Sequence, residues 1–384
     1  MPNVITQGAA SAKGYGFGAS STAANYIEDV FSTYLYTGTG SAQTITNSID
    51  LSTKGGMVWL KDRTQANPAW IMDTTRGTSS TLQPSSTGAA GSISTAITAF
   101  GTTGFTIGTN SNSNTNGNNY VSWTFRKQAK FFDVVTYTGT GANRTIAHNL
   151  GSVPGCIIVK RTDAVADWPV YHRGTGAGRF NWGKLNTTAA FSPESTIWND
   201  TSPTSTVFSV GTATQVNANG GTYVAYLFAH DAGGFGASGS DNVISCGSFN
   251  TGGSGSVSVT LNYEPQWVMI KRTDSTSDWI MLDTMRGWAN EETVSSNDMR
   301  LKANTSEAES ADSLGFPSAT GFQASGFGLN QTWIYIAIRR GPMKTPTSGT
   351  SVYNAIARTG NGTYSTYVSG AGFPVDLAWA FSRS

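Results

Sequence analysis

Apolar residues recur along this chain in short runs, and the runs themselves recur. The strongest begin after Gly55 (GMVWLKDR), Pro154 (GCIIVKRTD), Pro265 (QWVMIKRTD) and Pro374 (VDLAWAFSR), roughly 100 to 110 residues apart, and a fixed long period marks a repeat architecture. Lys61, Lys160 and Lys271 sit at the same place in the first three runs, with Ala380 in the fourth. Upstream of each lies a polar-aromatic stretch ending in a glycine turn: TYLYTGTG (33–40), VVTYTGTG (134–141), ISCGSFNTGG (244–253) and AIARTGNG (355–362). Downstream come tryptophan-bearing stretches, AWIMDTTRG, DWPVYHRG and DWIMLDTMRG, carrying Trp70, Trp168 and Trp279. Later still stand NYVSWTFRK (119–127), TYVAYLFAH (222–230) and TWIYIAIRR (332–340). Helical periodicity is absent, and Gly, Ser, Thr and Asn clusters interrupt the chain frequently, so these stretches predict short strands.

The expected fold is all-β: tandem antiparallel β-sandwich modules, jelly-roll or Ig-like. Each lysine run and its tryptophan stretch form a hairpin. Apolar residues fill both parities of MVWLK and WVMIK, which predicts central strands covered on both faces. The tryptophans are expected to anchor their own modules, so that Trp168→Ala or Trp279→Ala unfolds one repeat. Lys160-Arg161 and Lys271-Arg272 are expected to snorkel at hairpin ends. The division is an arm over 1–29, modules over 30–130, 131–237 and 238–345, and a partial fourth module or exchanged strand segment over 346–384. DAGGFGASGS (231–240) and PMKTPTSGTS (342–351) read as linkers. The partial module calls for a chain that continues past Ser384, a strand supplied by another subunit, or closure onto the arm.

Composition narrows the function classes. Charged residues make up 12%, with net charge +1, about half the usual ~25%; hydration rests on neutral polar groups, and no net field draws nucleic acid or anionic lipid. No run approaches a membrane span, and MPNVITQGAASAKG lacks the pattern of a secretory signal. Cys156 and Cys246 lie in different registers of different repeats, which argues against a disulfide framework. His148, His172 and His230 show no metal-ligand spacing. The loop SNSNTNGNN (111–119) offers amide oxygens but no carboxylate for Ca²⁺, so no metal and no cofactor is expected.

Asp73 and Asp283, in DTTRG and DTMRG, are the best-placed acids. Glycoside hydrolysis would need two facing carboxylates. Each acid instead has an arginine three residues on, Arg76 or Arg286, and the middle copy carries HRG. The motif reads as a structural ion pair. No nucleophile elbow, dinucleotide fingerprint or P-loop occurs. Aromatics on polar loops are candidates for stacking on sugars, namely Trp182, Trp198 and Trp288, against the alternative that they seal sandwich ends.

The combination YTGTG, an apolar run ending in KR or KDR, then W with DTxRG or HRG, resembles modules of tailed-phage virion proteins, including those of cyanophages and other phages of aquatic bacteria. The resemblance covers about residues 30–345 and implies a structural or adhesive role without catalytic residues. It implies localisation on the virion surface, assembled in the host cytoplasm. The leading expectation is a tail fibre or tail-associated host-adhesion component, not an enzyme. Alternatives are a capsid or tail decoration (cement) protein and a tailspike polysaccharide depolymerase. Expected partners are copies of itself as a homotrimer, other virion proteins through the arm or C-terminal segment, and host surface glycan, with no nucleic acid and no membrane insertion.

Overall fold

The computed structural model describes residues 24–175, 181–288, 298–344 and 353–357. The first 23 residues and nearly all of the expected fourth module lie outside the described residues, while 353–357 form no regular element.

The protein is nearly all β, with every paired strand antiparallel. Its plan is one sheet used three times. An opening strand pairs with a closing strand, the closing strand with the lysine strand, and the lysine strand with the hairpin strand. In chain order, the first sheet takes Phe31–Thr37, Gly56–Asp62, Trp70–Asp73 and Asn119–Arg126. The second takes Phe132–Thr138, Cys156–Arg161, Pro169–His172 and Thr222–Phe228. The third takes Ile244–Asn250, Pro265–Arg272, Ile280–Asp283 and Thr332–Arg339. A smaller sheet covers the outer face of each, built on Gln43–Thr46 and Gly104–Ile107, on Arg144–Ala147 and Val207–Val210, and on Val257–Thr260 and Gly321–Ala324. Each module is therefore a two-sheet sandwich.

The modules are not beads on a string. Met57 and Trp59 of the first lysine strand, and Trp267 and Met269 of the third, enter one apolar cluster that also holds Cys156–Val159 of the second. The alternate residues, Val58 and Leu60 or Val268 and Ile270, face separate outer clusters. Burial on both faces thus has a cause: one face meets the module's own small sheet, the other a core common to all three modules. Phe125 shows the sharing at one ring, with neighbours Phe31 at 4.9 Å, Phe132 at 5.3 Å, Phe228 at 5.7 Å and Trp267 at 5.9 Å between centroids. The expectation that a tryptophan serves only its own module is corrected accordingly.

Two expected linkers and part of the arm are structural pieces of this ring. In 231–240, Phe235 is fully buried and Gly236 N donates to Asn25 O at 2.9 Å. Ile27, just before the first sheet, is fully buried in the common core. Met343 N donates to Glu28 Oε1 at 3.0 Å, Lys344 N donates to the same oxygen at 2.8 Å, and Lys344 pairs with Asp29. The last module is thereby tied back to the first. Both chain ends of the ring meet at one pole, where opening strands begin and closing strands end. The other pole carries the glycine turns.

Candidate functional site

The residues repeated most faithfully converge on the seams between modules. After its hairpin strand each module sends a segment to the next module, and the third sends its segment to the first. Ala90 N donates to Thr162 O (2.9 Å), Phe191 N to Thr273 O (3.0 Å) and Glu309 N to Arg63 O (3.0 Å). These are one bond made at three seams, and they close a ring with pseudo-threefold order.

Lys61, Lys160 and Lys271 staple the same seams. None is exposed at all, so the snorkelling expectation is corrected. Each Nζ donates at 2.7 Å to a carbonyl of its own hairpin loop, that of Asn67, Ala166 or Ser277. Each also reaches a carbonyl of the preceding module in the ring: Ser306 at 3.1 Å, Thr87 at 2.9 Å or Thr188 at 2.9 Å. An ammonium donates up to three hydrogen bonds and accepts none, so a cage of backbone carbonyls suits it. Burial pulls all three lysines down to about 8. The unfolded chain then holds these protons more tightly, so the penalty is complete below about 8 and fades as pH rises towards the ordinary lysine value. Together the three cages should raise the unfolding free energy between pH 8 and 10, by up to about 2 kcal/mol for each lysine. Lys160→Met should remove about a third of that rise, which urea titrations at successive pH values would measure. The raised thiol values of Cys156 and Cys246 act the other way inside that window, and the raised phenol values of Tyr36, Tyr137 and Tyr226 from its upper end, so the variant is compared with the parent chain at each pH.

The tryptophans are not three copies of one position. Asp73, His172 and Asp283 pair with Met57, Cys156 and Trp267, which are equivalent across the closing strands. Four residues earlier stand Ala69, Trp168 and Trp279, all in the common core. Trp70 is one residue further on and faces the outer cluster instead, as a one-residue offset in a strand must. Trp168 Nε1 donates to Ser86 O and Trp279 Nε1 to Lys184 O, both at 2.9 Å and both across a seam. Trp70 Nε1 has no partner.

Asp73 and Asp283 are fully buried, beside Arg286 with no exposed side-chain surface and Arg76 with 7%. Arg76 Nε stands 2.6 Å from Asp73 Oδ2, and Arg286 Nε 2.6 Å from Asp283 Oδ2. Each carboxylate also accepts a bond from the next module's closing strand: Asp73 from Tyr226 Oη at 2.8 Å, Asp283 from Trp123 Nε1 at 3.0 Å. The middle copy explains its own departure. Its equivalent neighbour is Ile336, which has nothing to donate, and the acid there is replaced by His172, whose Nε2 meets Tyr335 O at 3.0 Å. A buried carboxylate without donors would be costly, so acid and donor are lost together.

The sugar-stacking candidates are also corrected. Trp182 is 9% exposed, Trp198 2% and Trp288 1%, and Trp288 Nε1 donates to Gly315 O at 3.0 Å. Their faces are covered by protein, so they seal the modules. The 111–119 loop is committed inward too: Asn114 Nδ2 donates to Ser41 O and Gly108 O, both at 2.6 Å, while its Oδ1 accepts from Thr39 N at 2.9 Å. Asn217 makes the matching set in the second module. These two asparagines brace the YTGTG turns and were missed in the sequence, although each sits five residues before its closing strand. An open cleft of about 260 Å³ is lined by Lys127, Gln128, Ala129, Phe132, Asp133 and Asn149; its acid is held by Lys127 at 3.1 Å and by Asn149 N. Among the described residues no three His, Cys, Asp or Glu side chains converge as a metal site, and both cysteines are buried and free.

No curated protein matches the chain. The family model described as "Domain of unknown function (DUF7483)" matches residues 27–342, which runs from the first residue of the turn that opens the ring to the segment that closes it, so the family unit is the whole three-module ring. The chain belongs to the DUF7483 family.

Proposed function

We propose that the protein is a non-catalytic structural component of a tailed-phage particle, a tail fibre or tail-associated adhesion protein displayed on the virion. The observation that carries this reading is the spending of the repeated ionisable groups. Lys61, Lys160, Lys271, Asp73, Asp283 and Arg286 are buried at seams, with Arg76 nearly so, and are bonded to neighbouring modules or to groups that are, where they brace a ring. A surface low in charge agrees with use in changing ionic conditions, because neutral polar groups are not screened by salt. In this reading the pole where Glu28 holds Met343 and Lys344 is the attachment side, reaching other virion proteins and further copies of the chain as a homotrimer. The glycine-turn pole is the display side. A host glycan would be met by polar loops, since the three candidate indoles are covered.

The test is location and turnover together. Labelled antibody against the ring should mark phage tails; label confined to heads supports a cement role instead, and absence from particles overturns the reading. Host polysaccharide incubated with the protein should release no reducing ends. Release that is abolished by Asp73→Asn or Asp283→Asn would establish a depolymerase.

A further inference from the structure

The three seams differ at the residue that follows the hairpin strand's apolar run. Two seams hold an aspartate–arginine pair there and one holds an imidazole. We propose that the seam between the second and third modules is an acid-sensitive latch, opening first as pH falls towards 5 while the other two seams stay closed.

His172 is almost wholly buried, and both ring nitrogens have assigned roles. Nε2 lies 3.0 Å from Tyr335 O, an acceptor, so it carries the proton. Nδ1 lies 3.0 Å from Gly174 N, a donor, so it must accept. A second proton on Nδ1 would set one N–H against another, with no acceptor opposite it. The groups around it do not compensate. Arg173 follows it directly, just past the strand, and His230 of the second module stands beside them. Cys156 pairs with it in the sheet, and the thiols of Cys156 and Cys246 and the phenols of Tyr171 and Tyr335 are all held neutral by burial. Among the described residues the carboxylate beside this pair is Asp231, which faces His230 Nδ1 at 3.3 Å and accepts from Ser245 Oγ at 2.5 Å.

His230 is the reachable trigger. Its side chain is 23% exposed, its Nε2 lies 2.5 Å from Arg173 Nη1, and its Nδ1 lies 3.1 Å from Cys246 N across the seam, two donors that one neutral ring cannot both satisfy. Once both ring nitrogens carry protons neither can accept, so the contact with Cys246 N is lost and two cations face each other at Arg173. Arg173 also spans the seam to Cys246 O at 3.4 Å, and its N donates to Gly155 O. Releasing it uncovers the Gly174 turn and then His172. Burial pulls His172 down to about 3 and lowers His230 as well. Both depressed values mean that the unfolded or opened chain binds the protons better, so seam stability is complete above about 6.5 and falls as pH drops below it.

Hydrogen exchange read by mass spectrometry on the full chain at pH 7.5 and 5.0, corrected for intrinsic rates, tests this directly. Amides in 169–175, 244–247 and 333–337 should gain exchange on the order of tenfold at pH 5. The corresponding amides of the other seams, 70–77 with 223–228 and 280–288 with 120–126, should stay near their neutral-pH protection. His172→Gln combined with His230→Gln should abolish the gain. Equal gains at all three seams, no gain at any, or an undiminished gain in a folded double variant would overturn the proposal. If the variant does not fold, the comparison of three seams within the native chain still decides it.

Discussion

Asp283→Ala should destabilise the ring by about 3–5 kcal/mol, the cost of leaving a buried charge without its partner. Arg286 shows no exposed side-chain surface, stacks over Trp123 at 5.4 Å, and among the described residues keeps Glu309 as a countercharge at 3.1 Å once Asp283 is gone. Trp123 Nε1 loses its acceptor and Arg286 N loses its cap in the same change. The volume removed is small, so desolvated charge decides the size of the effect and cavity formation adds little. Asp283→Asn keeps an acceptor oxygen and should cost less. Urea denaturation of both variants measures the difference, with the midpoint falling and the slope unchanged. Asp73→Ala should follow the same pattern more mildly, because Arg76 retains 7% side-chain exposure, donates to Ser80 Oγ and keeps Tyr226 within 3.1 Å.

The second large effect concerns what can fold alone. A chain ending at residue 237 keeps two complete sandwiches, yet it should not fold. Removing the third module uncovers Phe31, Trp59, Trp123 and Phe125 on one side and Phe228 and Cys156 on the other, since all face the common core. Each large aromatic buries ~150–250 Å², and at ~25 cal/mol per Å² a handful of them outweighs the 5–15 kcal/mol by which domains are stable. The lost seams add the unpaired Lys61 cage and the unpaired Trp123 indole. Circular dichroism and analytical ultracentrifugation should find the two-module chain unfolded or aggregated, and the full chain should melt in one transition. A well-folded two-module monomer would show the sandwiches to be independent.

The all-β sandwich character was legible from the spacing of strands and turns, and MVWLK and WVMIK announced strands covered on both faces. What covered them was not legible, because contact between modules leaves no period along the chain. Trp70 illustrates a smaller loss. It lies nine residues after Lys61, whereas Trp168 and Trp279 lie eight after Lys160 and Lys271; that offset places it on the opposite face, and matching by residue type concealed it. The lysines were visible as a repeat, but their partners Ser306, Thr87 and Thr188 share no residue type, since only their carbonyls are used. The exchange of aspartate for His172 made sense only beside Ile336, which the chain places 164 residues later. Burial of Trp182, Trp198 and Trp288 depended on outer layers that composition does not reveal.

Closure of the third module onto the first is the physical core of this account, and a designed crosslink tests it most directly. Arg63 and Glu309 face each other across that seam, joined by a backbone bond of 3.0 Å and by their side chains at 2.7 Å. With Arg63→Cys and Glu309→Cys, mild oxidation of the dilute protein should form a disulfide between these positions within one chain, identified by peptide mapping, while buried Cys156 and Cys246 stay reduced. A pair that stays reduced, or that bridges only between separate chains, would contradict the closed ring.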